Sequence, residues 1–188
     1  MSLVGLEVRH RAIAAVLGLA VLVLALTSCS GPVAGEAPKC GQVERVALIA
    51  QSVPTTSYVP CISAPQPGWS STDLRAQDGG TRFTLNSDRS PNHPVHVELS
   101  QSCPIGTATP IAPRTPGGRS YLSLSGIDPR YAGTMYDVFP GGCVSYRFDF
   151  ERGAHIPLMA QLQSIVGFVP RQQLRLDVQR QLGVRLDP

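Results

Sequence analysis

Apolar and polar side chains alternate along several stretches of the chain, with the two-residue period of a β-strand that buries one face. The alternation is clearest over residues 144–150 (VSYRFDF) and 95–99 (VHVEL). Residues 74–77 and 81–85 flank the turn sequence Asp78-Gly79-Gly80, an arrangement that predicts a hairpin. Shorter apolar stretches predict further strands at 43–50, 121–124 and 135–139.

The apolar period changes to that of a helix in the last third of the chain. One helix is predicted after Pro157, with apolar residues at helical spacing: Leu158, Leu162, Ile165 and Val166. Gly167 and Pro170 end it, and a second helix follows from Pro170 to about Leu182, on the spacing of Leu174, Val178 and Leu182. The sequence therefore predicts an α+β fold: a small, mostly antiparallel sheet of five or six strands, with two C-terminal helices on one face.

The first residues have the anatomy of a secretory signal peptide. Arg9 and Arg11 precede the apolar run 12–26. A helix of that length spans only about 22 Å, less than the hydrocarbon core of a bilayer. The run ends in Leu26-Thr27-Ser28-Cys29, which resembles the lipobox of bacterial lipoproteins. The resemblance implies lipid transfer to the Cys29 sulfur and cleavage before Cys29; the alternative is an uncleaved membrane anchor.

This interpretation divides the chain into three parts. Residues 1–28 are predicted to be a signal peptide, 29–39 a lipid-anchored tether, and 40–188 a single exported globular domain. The tether prediction depends on the small residues, glycine and proline between Ser30 and Pro38. The expected location is the cell membrane, with the domain facing outside the cytoplasm.

Composition narrows the class of protein. The chain of 188 residues is 43% hydrophobic and 15% charged, which is too apolar for a disordered protein. Its formal net charge of +3 is too small to indicate a nucleic-acid binder. No cofactor is expected, because the chain has no phosphate-binding or dinucleotide-binding glycine motif.

The cysteine count agrees with export. With Cys29 assigned to the lipid, four cysteines remain, and an even number in an exported chain predicts two disulfides. Three pairings are open, and we favour Cys40–Cys61 with Cys103–Cys143 because these loops do not cross. Cys143 is out of phase with the apolar positions after it and is expected at the turn before residue 144. A zinc site is the rival interpretation, but no Cys-x-x-Cys pair supports it.

Three segments carry a further resemblance: 136–150 (YDVFPGGCVSYRFDF), 167–170 (GFVP) and 183–188 (GVRLDP). Together they resemble a pattern in exported or membrane-attached proteins of high-GC Gram-positive bacteria. The resemblance covers most of the exported domain. It implies a location and a type of fold, and it brings no activity and no catalytic residue.

Candidate ligand contacts are few. Imidazole and carboxylate suit a metal, which makes His93 and His96 with Asp88 a candidate set, although residues three apart on a strand face opposite sides. His155 is the remaining histidine of the exported part. Trp69 is the only tryptophan; with Tyr58 it could form an aromatic platform, or it packs on the core.

Acidic residues give no firm evidence for catalysis. Asp137, Asp149 and Glu151 could supply a carboxylate pair, but their spacing favours a solvated strand face. No Gly-x-Ser-x-Gly motif is present. We therefore expect a non-enzymatic accessory or binding domain with an envelope protein or wall polymer as partner. The alternatives are a small cell-envelope hydrolase, favoured if a histidine lies beside Asp88 or Asp137, and a lipoprotein that binds a solute or metal.

Overall fold

The alternating segments form an eight-stranded antiparallel sheet in the computed structural model, which describes residues 33–151 and 153–186. A two-stranded antiparallel sheet and helices complete an α+β fold. The large sheet has the spatial order β1-β3-β4-β5-β9-β8-β7-β6, and β10 pairs with β2. In chain order, the described elements are β1 (Val33–Gly35), α1 (Val43–Ser52), β2 (Tyr58–Ile62), β3 (Trp69–Gln77), β4 (Gly80–Ser87), β5 (Val95–Ser100), β6 (Thr109–Ile111), β7 (Arg119–Gly126), β8 (Arg130–Phe139), β9 (Gly142–Glu151), α2 (His155–Ile165), β10 (Val166–Pro170) and α3 (Arg171–Leu182).

One face of the large sheet carries the core. Val97 lies opposite Tyr146 at the centre of the sheet, and both side chains are fully buried. The residues between the buried positions, such as His96 and Arg147, are exposed on the other face. The strands predicted at 95–99 and 144–150 are confirmed. So is the hairpin, in which Asp78 and Gly79 connect β3 to β4.

The prediction of a strand at 43–50 is wrong, because this segment is helix α1. Its buried apolar residues Val43, Val46, Ile49 and Ala50 recur at helical spacing, while Leu48 is exposed. The segment is short and rich in β-branched residues, so its composition suggested a strand although its period is that of a helix.

The small sheet was not predicted. Pro60 lies inside β2 opposite Phe168, and Pro170 ends β10 opposite Tyr58. Each strand of a two-stranded sheet has a free edge, so a proline there need not remove a ladder hydrogen bond. Val166 therefore begins a strand instead of ending the first C-terminal helix, and the described fold has more strands than the five or six expected.

The three helices of the described chain and the small sheet share the apolar side. Helix α1 contacts β3 and β4, α2 contacts β9, and α3 packs on α1 and β10. Leu174 and Val178 are buried as predicted, whereas Leu182, the last residue of α3, is 41% exposed. Gly183 follows with a φ of 67°, the left-handed conformation in which glycine commonly ends helices.

Both predicted disulfides are present, Cys40–Cys61 and Cys103–Cys143. The expectation that Cys143 lies in a turn is wrong. Strand β9 already pairs with β8 at Gly142, so Cys143 is within the ladder, opposite Val138, and is fully buried. Its opposite phase from Val144 places it on the other face of the strand, where Cys103 bonds to it.

The folded part begins earlier than the predicted tether allows. Val33–Gly35 pairs with β3, and Ala37 and Pro38 are buried. The Pro38 carbonyl accepts a hydrogen bond of 2.8 Å from the Ile62 backbone N–H. Residues 33–38 therefore belong to the same unit as the rest of the described chain. The predicted signal peptide and Cys29 lie outside the described residues. None of the described helices is long and apolar enough to cross a membrane.

The turn between β8 and β9 provides a test of packing. Gly141 has a φ of +71°, and a Cβ there would lie 1.8 Å from the Thr55 carbonyl oxygen; Gly79 has a φ of +89° and open space. We expect Gly141→Ala to lower the free energy of unfolding by about 2–3 kcal/mol and Gly79→Ala by about 1 kcal/mol, because only the first adds a clash to the backbone strain. Urea denaturation measures both, and equal losses would contradict the close packing of this turn.

Candidate functional site

The histidines predicted as ligand contacts lie apart. His93 faces the guanidinium of Arg130, whose Nη1 is 3.0 Å from the His93 Nε2. His155 stacks on Tyr131, with ring centroids 4.4 Å apart, beside an apolar cavity of about 520 Å³. His96 is on the exposed face of β5. Nowhere among the described residues do three or more His, Cys, Asp or Glu side chains lie close enough together to hold a metal ion.

The other candidate contacts are separate as well. Trp69 donates a hydrogen bond of 3.0 Å from Nε1 to the Gln161 Oε1 and packs against the core. Tyr58 contacts the rings of Phe139 and Phe168 and lines a different cavity. The structure therefore does not combine Trp69 and Tyr58 into one platform.

The prediction that Asp137 lies on a solvated strand face is wrong. Its side chain is 1% exposed and forms an ion pair of 2.8 Å with Arg114. Ser120 donates to its second oxygen at 2.6 Å. Burial and the neighbouring Asp137 carboxylate raise the pKa of Tyr146, whose hydroxyl is 3.1 Å from the Arg114 Nη1. Residues 104–118 form the connection from β5 to β7 and include the edge strand β6. The network has a structural role, because through Arg114 it attaches this 104–118 connection to β8 and β9 in the sheet.

Asp149 does lie at the surface, in agreement with the prediction. Its carboxylate accepts a hydrogen bond of 2.6 Å from the Arg130 Nε, and Asp149 is 49% exposed. That hydrogen bond raises the pKa of Arg130 above its usual value. The two side chains therefore form an ion pair at the surface.

The uncovered face of the large sheet carries a different cluster, which we call the arginine pocket. It is a depression of about 300 Å³ on strands β3, β4, β5 and β9. Phe83 and Val97 contribute to its floor, but both are buried on the core side. Its polar lining residues are Asp73, Arg75, Arg82, Thr84, His96, Glu98, Ser145 and Arg147.

The strand register places these side chains in two adjacent rows. In one row, Arg75 is opposite Arg82, and Arg82 is opposite Glu98. In the next row, Thr84 is opposite His96, and His96 is opposite Arg147. Neighbouring strands are about 4.8 Å apart, so the long arginine side chains reach a common surface from several strands.

A β-bulge gives Arg75 its place in the pocket. Between Thr72 and Arg75 the register shifts by one residue, so that Thr72 pairs with Thr84 while Arg75 pairs with Arg82. Asp73 within the bulge has a φ of 56°, which is uncommon for a residue other than glycine. If β3 continued in the register of Thr72 without a bulge, Arg75 would be in phase with Ser71 and would point toward the core. The bulge therefore turns this guanidinium outward.

The three guanidinium groups of the pocket have no partner among the described residues. Arg75, Arg82 and Arg147 form no hydrogen bond and no ion pair with any residue in 33–151 or 153–186. Among the other arginines of the described chain, Arg114 and Arg130 form ion pairs with Asp137 and Asp149, whereas Arg89, Arg119, Arg175 and Arg185 form no side-chain ion pair. The pocket differs from these four in that its three guanidinium groups line one depression across neighbouring strands. The pocket thus presents unused hydrogen-bond donors beside the carboxylates of Asp73 and Glu98.

Sequence reasoning found one residue of this pocket, His96, and assigned it to a metal or a solvated edge. The arginines of the pocket were not predicted as site residues, because each is an ordinary polar residue on the outward face of its strand and no local pattern links it to the others. Comparison with protein families, with curated proteins and with solved structures finds no match for this chain. The geometry of the chain itself is therefore the basis for inferring its function.

Proposed function

We propose that this protein is a lipid-anchored lipoprotein of the cell membrane whose folded domain faces outside the cytoplasm and binds a component of the envelope without catalysing a reaction. The anchor is Cys29, at the end of the Leu26-Thr27-Ser28-Cys29 sequence. Pairing of the four remaining cysteines supports the location, because disulfides persist in oxidising compartments.

The observation that carries the binding role is the arginine pocket. Its unpaired donors lie on an open face of the sheet, where a partner can reach them without any rearrangement of the core. The hydrolase alternative called for a histidine beside Asp88 or Asp137. His96 instead shares its pocket with Asp73 and Glu98, and Asp137 is paired with Arg114. A wall polymer or an envelope protein is the expected partner.

Lipid attachment is tested by labelling cells with an alkyne fatty acid. We expect label on the wild-type protein and none on Cys29→Ala, which also retains residues 1–28, because transfer to sulfur precedes cleavage. Ser30→Ala is the matched control and keeps both the label and the cleavage. An unlabelled wild-type chain with residues 1–28 intact would show that the anchor is a membrane helix and would overturn this part of the proposal.

A further inference from the structure

We infer that the arginine pocket binds an anionic group carried on a sugar or polyol, the chemistry of a charged wall polymer. The anionic group is a phosphate or a carboxylate, and Arg75, Arg82 and Arg147 contact it. The inference depends on the proposed function only for the location of the domain, since the pocket itself is a feature of the folded chain.

The charge arrangement indicates an anion. Arg75 on β3 lies directly opposite Arg82 on the neighbouring strand β4. Like charges in such a cross-strand pair destabilise a sheet. No carboxylate in the described chain pairs with either of them at ion-pair distance. An anion between the two guanidinium groups would remove the repulsion. A guanidinium also matches the two oxygens of a phosphate or carboxylate with two parallel hydrogen bonds.

The remaining lining residues indicate hydroxyl groups next to the anion. Asp73 and Glu98 accept hydrogen bonds and repel a bare anion, but they suit the hydroxyl protons of a sugar or polyol. Thr84 and Ser145 can donate to its oxygens. The row from β3 to β9 covers three strand spacings, about 14 Å, which is long enough for more than one unit of a polymer.

The pocket is poorly suited to a lipid surface. Helices and segments that insert into a membrane interface need exposed apolar side chains. The large exposed hydrophobic residues of the described chain all lie outside β3, β4, β5 and β9: Leu48, Leu124, Ile127, Ile156, Leu176, Leu182 and Val184. An anion on a soluble polymer fits this polar face better than a headgroup in a bilayer.

The test uses the mature protein in a neutral detergent and fluorescence anisotropy with labelled polymers. One arm uses poly(glycerol phosphate), a second uses polyglucuronate of equal length, and neutral dextran is the blank. We expect one of the two anionic polymers to bind and dextran not to bind. Arg82→Gln should weaken binding at least about tenfold, because one charged hydrogen-bond pair is lost. Arg175→Gln, an equal charge change on α3, should alter it less than about twofold.

A second measurement distinguishes binding from a structural role. Arg82→Gln should leave the urea midpoint nearly unchanged, because it removes both the repulsion from Arg75 and the attraction to Glu98 on the opposite side; a clearly lower midpoint would mean that Arg82 supports the fold. Equal weakening by Arg82→Gln and Arg175→Gln would reduce the effect to net charge and overturn the site.

Vesicles of one part phosphatidylglycerol to three parts phosphatidylcholine form the last arm. Binding to vesicles through Arg82 without binding to either polymer would identify a membrane face instead of a polymer site. If no anionic probe binds while the fatty-acid label on Cys29 is found, the inference fails and the anchor stands. If polymers bind and Cys29 carries no label, the pocket stands and the anchor fails.

Discussion

Asp137→Ala lowers the free energy of unfolding by about 3–5 kcal/mol, as expected when one partner of a buried ion pair is removed. The Arg114 guanidinium is only 14% exposed, and in the variant it loses its counter-ion. Ser120 loses the acceptor of its 2.6 Å hydrogen bond as well. Equilibrium urea denaturation, with the disulfides kept oxidised, measures the loss as a lower midpoint.

The size of this effect follows from the number of segments that Arg114 connects. Besides Asp137, its guanidinium donates to the backbone carbonyls of Gln163 at 2.6 Å and Val166 at 2.5 Å. These carbonyls are in the last turn of α2 and just after it, where a positive charge also favours the helix dipole. One side chain thus connects the 104–118 connection, the sheet and the end of α2.

Two control variants test whether the loss of stability comes from the buried ion pair. Asp177→Ala removes a surface pair with Arg180, whose side chain is 69% exposed, and should cost at most about 1 kcal/mol. Arg114→Met combined with Asp137→Leu should recover much of the loss, because neither charge remains buried alone. If Asp137→Ala costs no more than Asp177→Ala, the network does not hold the connection to the sheet.

Local patterns in the sequence predicted the elements that depend on local contacts. The alternation over 144–150 predicted β9, the Asp78-Gly79-Gly80 turn predicted the hairpin, and the helical spacing of Leu174 and Val178 predicted α3. Each of these signals concerns residues that are neighbours in the chain. The strand predicted for residues 43–50 was wrong because the composition of this segment is typical of a strand while its apolar period is that of a helix. Strand β2 was not predicted, because Pro60 is tolerated there only at the free edge of a two-stranded sheet, and the sequence does not reveal that edge.

The sites depended on contacts that no local pattern encodes. Asp137 is buried because Arg114, 23 residues earlier in the chain, reaches it. Arg75 faces Arg82 because of a bulge; in an unbroken register the same residue would lie opposite Thr81 and point inward. The rows of the arginine pocket exist only after β3, β4, β5 and β9 pair in the observed register. The cysteines are the exception, since export and non-crossing loops were enough to give their pairing.

The second large effect is expected for the Cys103–Cys143 disulfide. Replacing both cysteines with alanine should lower the free energy of unfolding by up to about 4 kcal/mol, the loop-closure value for a separation of 40 residues. The same change at Cys40 and Cys61, separated by 21 residues, should cost up to about 3 kcal/mol. Urea denaturation under non-reducing conditions compares the two variants.

The two disulfides differ more in which segment loses protection when the bond is removed than in how much unfolding free energy is lost. Cys143 pairs with Ser100 and Val138 inside the ladder, and Cys103 immediately precedes the 104–118 connection that carries Arg114. Loss of this bond should therefore speed amide hydrogen exchange near the Cys103 end of the connection and at the start of β9, while α1 stays protected. Loss of Cys40–Cys61 should speed exchange in residues 37–42 instead, because that bond joins the segment before α1 to β2. Uniformly faster exchange in both variants would mean that each bond acts only on the unfolded chain, and local anchoring by the disulfides would be refuted.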